Sequence, residues 1–146
     1  MIVGLFVCGL SCKTSVETAT QFRAQDTAES VMKEYLRLRL KQADSYKRYN
    51  LLSKRVRASL KQDSKVSNQE EFRNQISDEE QWLDTKIISF QKRTANEMRV
   101  IVWCKAITEH PDGGKVSESQ REFVVVKEDN YWWLDSMIID GWYYYP

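Results

Sequence analysis

Any chemistry in this chain has to come from a few side chains. The single histidine, His110, lies in the run His110-Pro111-Asp112-Gly113-Gly114. That composition makes a hairpin turn, so His110 is expected in solvent at its tip rather than as a pocket base. The three cysteines, Cys8, Cys12 and Cys104, form no C-x-x-C pair and no His/Cys metal spacing, so neither a metal nor a cofactor is expected. Cys104 stands in an alternating apolar stretch and is expected to be a small buried residue rather than a nucleophile. Asp84 opens the strand region and is the carboxylate best suited to a pocket, with the capping of a turn as the equal alternative. Asp135 follows Trp132 and Leu134 in alternation and is expected to point away from the interior, and Asp140 lies further along the same segment. No nucleophile elbow, phosphate loop or paired-carboxylate motif occurs. General acid–base catalysis needs a positioned group with a shifted pKa, and nothing here marks one. The chain reads as non-enzymatic.

The opening run MIVGLFVCGLSC carries a different kind of chemistry. Residues 2–10 have the length of a secretory h-region and are too short to span a bilayer. Small residues beside Cys12 at the end of that run resemble a bacterial lipobox, although Gly9 stands where Leu is usual. The resemblance implies that Cys12 takes lipid and that residues 1–12 are a signal segment. Residues 13–25 (KTSVETATQFRAQ) are polar and without periodicity, as a tether would be. The folded domain is expected over residues 26–146.

Helical periodicity opens that domain. Asp26 and Glu29 form a candidate capping box. Ala28, Val31, Met32, Tyr35, Leu36 and Leu38 recur at helical spacing, with Lys33, Arg37 and Lys41 on the other faces. The helix is expected to stop near Ala43-Asp44-Ser45. A short helix with Tyr46, Tyr49, Leu51 and Leu52 follows, then a turn or two capped by Ser53 through Val56 and Leu60. Residues 61–67 read as a polar loop. Ser67 and Glu70 form a second candidate capping box before Phe72 and Ile76. After Ser77 the period changes to two. Strands are expected over Thr85–Lys92, over the stretch in which Met98, Val100, Val102, Cys104 and Ala106 alternate with Arg99, Ile101, Trp103, Lys105 and Ile107, over Val116–Lys127, and as one long strand over Tyr131–Asp140. Trp132 is expected inward and Trp133 outward. Helices followed by a meander of long strands give an α+β domain, a cone-like curved antiparallel sheet wrapped around the long N-terminal helix.

At 146 residues, 42% hydrophobic and 29% charged, the chain fits one globular domain. Its net charge of +1 gives no general attraction to nucleic acid, which is not an expected partner. The stretch Lys33–Lys65 is locally basic, with eleven Lys and Arg against Glu34, Asp44 and Asp63. Such a block is a solvated helix face. Beside a lipid anchor it would also rest on anionic headgroups, worth roughly 1 kcal/mol per basic residue.

Three segments resemble the nuclear-transport-factor-2-like superfamily. They are ADSYKRYNLLSKRVR, with Tyr46, Tyr49, Leu51, Leu52 and Ser53 matching; the S-x-x-E-F helix, Ser67 to Phe72; and VVKEDNYWWLDSM, a hairpin followed by Trp-x-hydrophobic-Asp-Ser. The resemblance covers about residues 27–140 and implies a cone with a pocket between helix and sheet. Tyr35, Leu38, Trp82, Val100, Val102 and Trp132 would line that pocket, and a small apolar ligand is the occupant it suits. Trp133, Trp142 and Tyr144 form an aromatic-rich partner surface, for a second copy or another envelope protein. The function expected is binding or assembly by a lipoprotein of the bacterial cell envelope, anchored outside the cytoplasmic membrane or in the periplasm. The alternative is a small-molecule isomerase or cyclase using the same pocket.

Overall fold

The computed structural model describes residues 24–41, 45–63, 65–75, 80–108, 112–139 and 142–144. Cys8, Cys12, Ile76, His110, Asp140 and Gly141 lie outside them. Helix α1 spans Ala28–Lys41, α2 Ser45–Asn50, α3 Lys54–Asp63 and α4 Gln69–Gln75. Strand β1 spans Gln81–Thr94, β2 Glu97–Thr108, β3 Lys115–Glu128, β4 Tyr131–Leu134, β5 Met137–Ile139 and β6 Trp142–Tyr144. The architecture is α+β, with a four-stranded antiparallel sheet in the order β1-β2-β3-β4 and a separate β5–β6 pair.

The stripe expected on the first helix is the buried face of α1: Ala28, Val31, Met32, Tyr35, Leu36 and Leu38 are all in the core. Its cap lies one residue later than expected. The Ser30 amide donates to Thr27 Oγ1 (3.0 Å) and the Thr27 amide donates to Ser30 Oγ (3.1 Å), a reciprocal cap. Glu29 faces solvent and pairs with Lys33 at 2.5 Å. The second capping box shifts in the same way. Asn68 Oδ1 accepts from the Glu70 and Glu71 amides, both at 3.0 Å, while Glu71 reaches back to the Ser67 amide. In both cases another oxygen-bearing side chain next to the expected one does the capping. Ser53 caps α3 as expected, accepting from the Val56 amide at 3.1 Å. Helix α3 runs on to Asp63, two residues beyond the start of the expected loop.

In β2 the alternation holds throughout. Val100, Val102, Cys104 and Ala106 are buried, while Ile101, Trp103, Lys105 and Ile107 are partly exposed on the other face. The β3–β4 turn places Asp129 (φ 51°) and Asn130 (φ 68°) in left-handed backbone, as a two-residue hairpin with the twist of the sheet requires. Edge strand β1 has register shifts at Trp82/Asp84, Ile87/Ser89 and Lys92/Thr94. These bulges bend the strand and put Leu83 and Ile88 out into solvent.

The expected strand over Tyr131–Asp140 is broken. Strand β4 ends at Leu134, and β5 begins at Met137 and pairs with β6. Asp135 and Ser136 interrupt it because both side chains are recruited inward, at 2% and 1% exposure. The outward orientation expected for Asp135 is therefore corrected. Asp135 Oδ1 accepts from Ser53 Oγ (2.6 Å) and Arg55 Nε (3.3 Å), and Oδ2 accepts from the Arg55 guanidinium. Ser136 Oγ accepts from the Val124 amide at 2.8 Å.

The open side of β4 is closed by the N-terminal half of the chain. Leu52 bridges Leu134 in parallel, with Leu134 N donating to Leu51 O and Ser53 N to Leu134 O, both at 2.8 Å. Trp132 N donates to Gln25 O (2.8 Å), and Gln25 Nε2 donates to Trp132 O (3.3 Å). Gln25, assigned by sequence to the tether, is thus buried in the fold.

Asp135→Ala is expected to lower stability by about 2–4 kcal/mol. It strips the buried Ser53 hydroxyl of its acceptor, while the exposed Arg55 partner adds little. Trp132→Ala, which empties a core position, is expected to cost about 3–5 kcal/mol. Urea denaturation of both variants measures these losses.

Candidate functional site

Between α1 and the inner face of the sheet lies the hydrophobic core. Tyr35, Leu38, Trp82, Val100, Val102 and Trp132, the residues assigned to a pocket, all belong to one buried cluster. Phe123 is its hub. Its ring lies edge-on to Tyr35 (5.7 Å between centroids) and to Trp82 (6.3 Å). Such edge-to-face packing suits aromatic quadrupoles. Val100, Val102 and Phe123 are fully buried, so this part of the interior is core.

The polar end of the interior surrounds Trp82. Asp84, the carboxylate singled out by sequence, is exposed, and its Oδ1 accepts from the adjacent Thr85 amide at 2.8 Å. That assignment is corrected: the β1 bulge between Trp82 and Asp84 turns Asp84 outward. Glu80 takes the inner position instead. Its carboxylate accepts from the Arg121 guanidinium at 3.2 and 2.9 Å and from Trp82 Nε1 at 3.3 Å. Arg39, 2% exposed on α1, donates to the Glu80 carbonyl at 2.7 Å and lies 4.7 Å from the Trp82 ring centre. Arg121 lies 6.0 Å from the same ring. Arg39 and Arg121 were missed in sequence because an arginine on a helix or strand reads by default as a solvated residue. The available signal was positional: Arg121 is in register with inward Val102, and Arg39 follows Leu38 on the helix.

Cys104 lies on this inner face and is fully buried. Burial pushes its thiol up to about 11, with Arg121 opposing. It is therefore a neutral thiol at physiological pH. Among the described residues no group of three His, Cys, Asp or Glu side chains is placed to hold a metal ion.

The other face of the sheet is apolar in patches. Ile101, Trp103 and Ile107 of β2 share it with Val124 and Val126 of β3 and Trp133 of β4. All six are partly exposed. The buried cluster that joins helices to sheet draws on inner-face residues, and none of these six belongs to it. Charges interrupt the patch: Arg99, opposite Val124, pairs with Glu122, opposite Ile101, and Lys105, in register with Glu118 and Asp84, separates Trp103 from Ile107. Trp133 is held in place, its Nε1 donating to Glu128 O at 3.1 Å and the Arg57 guanidinium lying 5.3 Å from its ring. Trp142 and Tyr144 fall on β6, which is described through its backbone. Sequence alternation had put Ile101, Trp103 and Ile107 on one face without marking that face as a site.

Part of the basic stretch is paired with carboxylates. Lys33 pairs with Glu29, Arg37 with Glu34, Lys54 with Asp129 and Arg55 with Asp135. The hydrogen bonds to Asp129 and Asp135 raise the pKa values of Lys54 and Arg55. No described helix is long and apolar enough to cross a membrane.

No family model matches the chain, and no curated protein matches it. Among solved structures it is similar to a SEC-C motif containing protein from Psychrobacter arcticus, at 18% identity and a TM-score of 0.46. The likeness covers 75% of this chain and 59% of that one.

The Cys104 thiol is expected to resist alkylation at pH 8 until the protein is unfolded. Because its folded pKa lies above that of the unfolded thiol, stability should be whole below about pH 9 and fall toward pH 11. Comparing wild type with Cys104→Ala across that range isolates the effect, since the variant lacks the fall.

Proposed function

We propose that the chain is a non-catalytic binding or assembly domain of the bacterial envelope, held at the membrane by lipid on Cys12. The observation that carries the assembly role is the patch of Ile101, Trp103, Ile107, Val124, Val126 and Trp133 on the sheet face opposite the core. Water does not favour such exposed apolar side chains, and aromatic and aliphatic residues set among charges on an open sheet face suit a partner site. The antiparallel alternation that buries one face leaves the other free to serve. The lipid anchor rests on the Leu10-Ser11-Cys12 end of the apolar run and the polar stretch behind it.

The nuclear-transport-factor-2-like reading and its cone belong to the same proposal. Two of the segments behind that reading meet in space, at Leu52–Leu134 and Ser53–Asp135. The three bulges of β1 favour a sheet that curls toward α1. Interior residues serve mainly as packing in this reading, and recognition passes to the outer face.

Trp103→Ala and Trp133→Ala are expected to leave the melting temperature nearly unchanged but to weaken self-association or partner capture, read by sedimentation and pull-down from envelope fractions. Folded variants whose association is unchanged would overturn the role of the face. Labelling cells with a palmitate analogue is expected to mark the full chain and not Cys12→Ala. Equal labelling of both would overturn the anchor.

A further inference from the structure

We infer that Arg121 and Trp82, with Arg39 behind them, form an exchangeable site for the carboxylate of a small molecule, and that Glu80 is its resident occupant. This site is independent of the outer sheet face. Three donor contacts converge on one carboxylate: the Arg121 guanidinium reaches both Glu80 oxygens, and Trp82 Nε1 reaches one of them. A planar guanidinium beside an indole N–H is a geometry that carboxylates fit in two-point fashion.

The donors do not depend on Glu80 for their position. Arg121 Nε donates to Ser119 Oγ at 3.1 Å, which fixes the guanidinium from its own strand. Trp82 is 2% exposed and packs on Phe123. The Arg39 guanidinium against the indole adds a second positive charge on the side of α1. The occupant is less constrained. Glu80 precedes the first residue of β1, and its backbone is held through its carbonyl by Arg39, leaving the carboxylate to turn on its own side-chain bonds. The Arg121 and Glu80 side chains keep 13% and 14% of their surface in water, so solvent reaches the pair. An incoming carboxylate would take the Arg121 and Trp82 hydrogen bonds as the Glu80 side chain swings into water. No covalent step is involved.

An internal carboxylate competes at high effective concentration, so the intact protein is expected to bind a minimal carboxylate weakly and a chain lacking the competitor to bind it better. The test follows the Trp82 indole N–H resonance during titration with sodium acetate, with sodium chloride at matched ionic strength as the control. Glu80→Ala is expected to show a saturable shift with acetate and none with chloride, at an affinity at least about tenfold above wild type. Adding Arg121→Gln to Glu80→Ala should abolish the shift. A folded Glu80→Ala that shows no saturable acetate shift, or responds alike to chloride, overturns the proposal and leaves Glu80–Arg121 as a structural ion pair. If Glu80→Ala does not fold, the wild-type titration decides: a saturable acetate-specific shift supports exchange, and its absence overturns it.

Discussion

The hydrogen bond from Ser53 to Asp135 joins the two halves of this chain, and much of the fold depends on it. Ser53 sits at the start of α3 and Asp135 just past the end of β4, 82 residues apart in sequence. Each has a second duty. The Ser53 oxygen caps α3 through the Val56 amide, and the Asp135 amide donates to Val124 O at 2.8 Å. A buried carboxylate is tolerated only when its lone pairs are used. Here they are used by a helix cap on one side and by Arg55 on the other, so the direction of α3 and the end of β4 are set by one group.

That tie explains why the last strand stops where it does. A residue pattern read only for periodicity continues from Tyr131 to Asp140, because nothing in the alternation forbids it. Tertiary demand for the Asp135 and Ser136 side chains breaks the ladder after Leu134. The same demand frees the following residues to pair in a separate β5–β6 sheet.

Much of the architecture was legible from apolar spacing: the buried stripe of α1, both faces of β2, the inward Trp132, and the α+β order all follow from periods of 3.6 and 2. Polar side chains were less legible. Thr27 rather than Asp26, and Asn68 rather than Ser67, provide the caps, since neighbouring oxygen-bearing residues compete for the same amides with little difference in energy. The inner position of Glu80 and the outward turn of Asp84 depend on a β-bulge, a backbone feature without a strong residue signature. Arg39 is buried and Arg121 nearly so because the Trp82 indole and Glu80 receive them, and Glu80 lies 41 residues from each. Such partners are invisible to a local window.

The pairing of Gln25 and Leu51–Ser53 with β4 also has a kinetic side. These contacts link residues up to 107 apart, so the loops that must close are long. During synthesis the helices emerge first, yet Asp135, which Ser53 bonds, follows 82 residues later. Until Trp132–Asp135 leave the ribosome, Gln25 and the Leu51–Leu52 pair lack the β4 edge that they meet in the fold. The domain therefore completes its fold only once β4 has been made, and until then it offers a chaperone unpaired segments to hold.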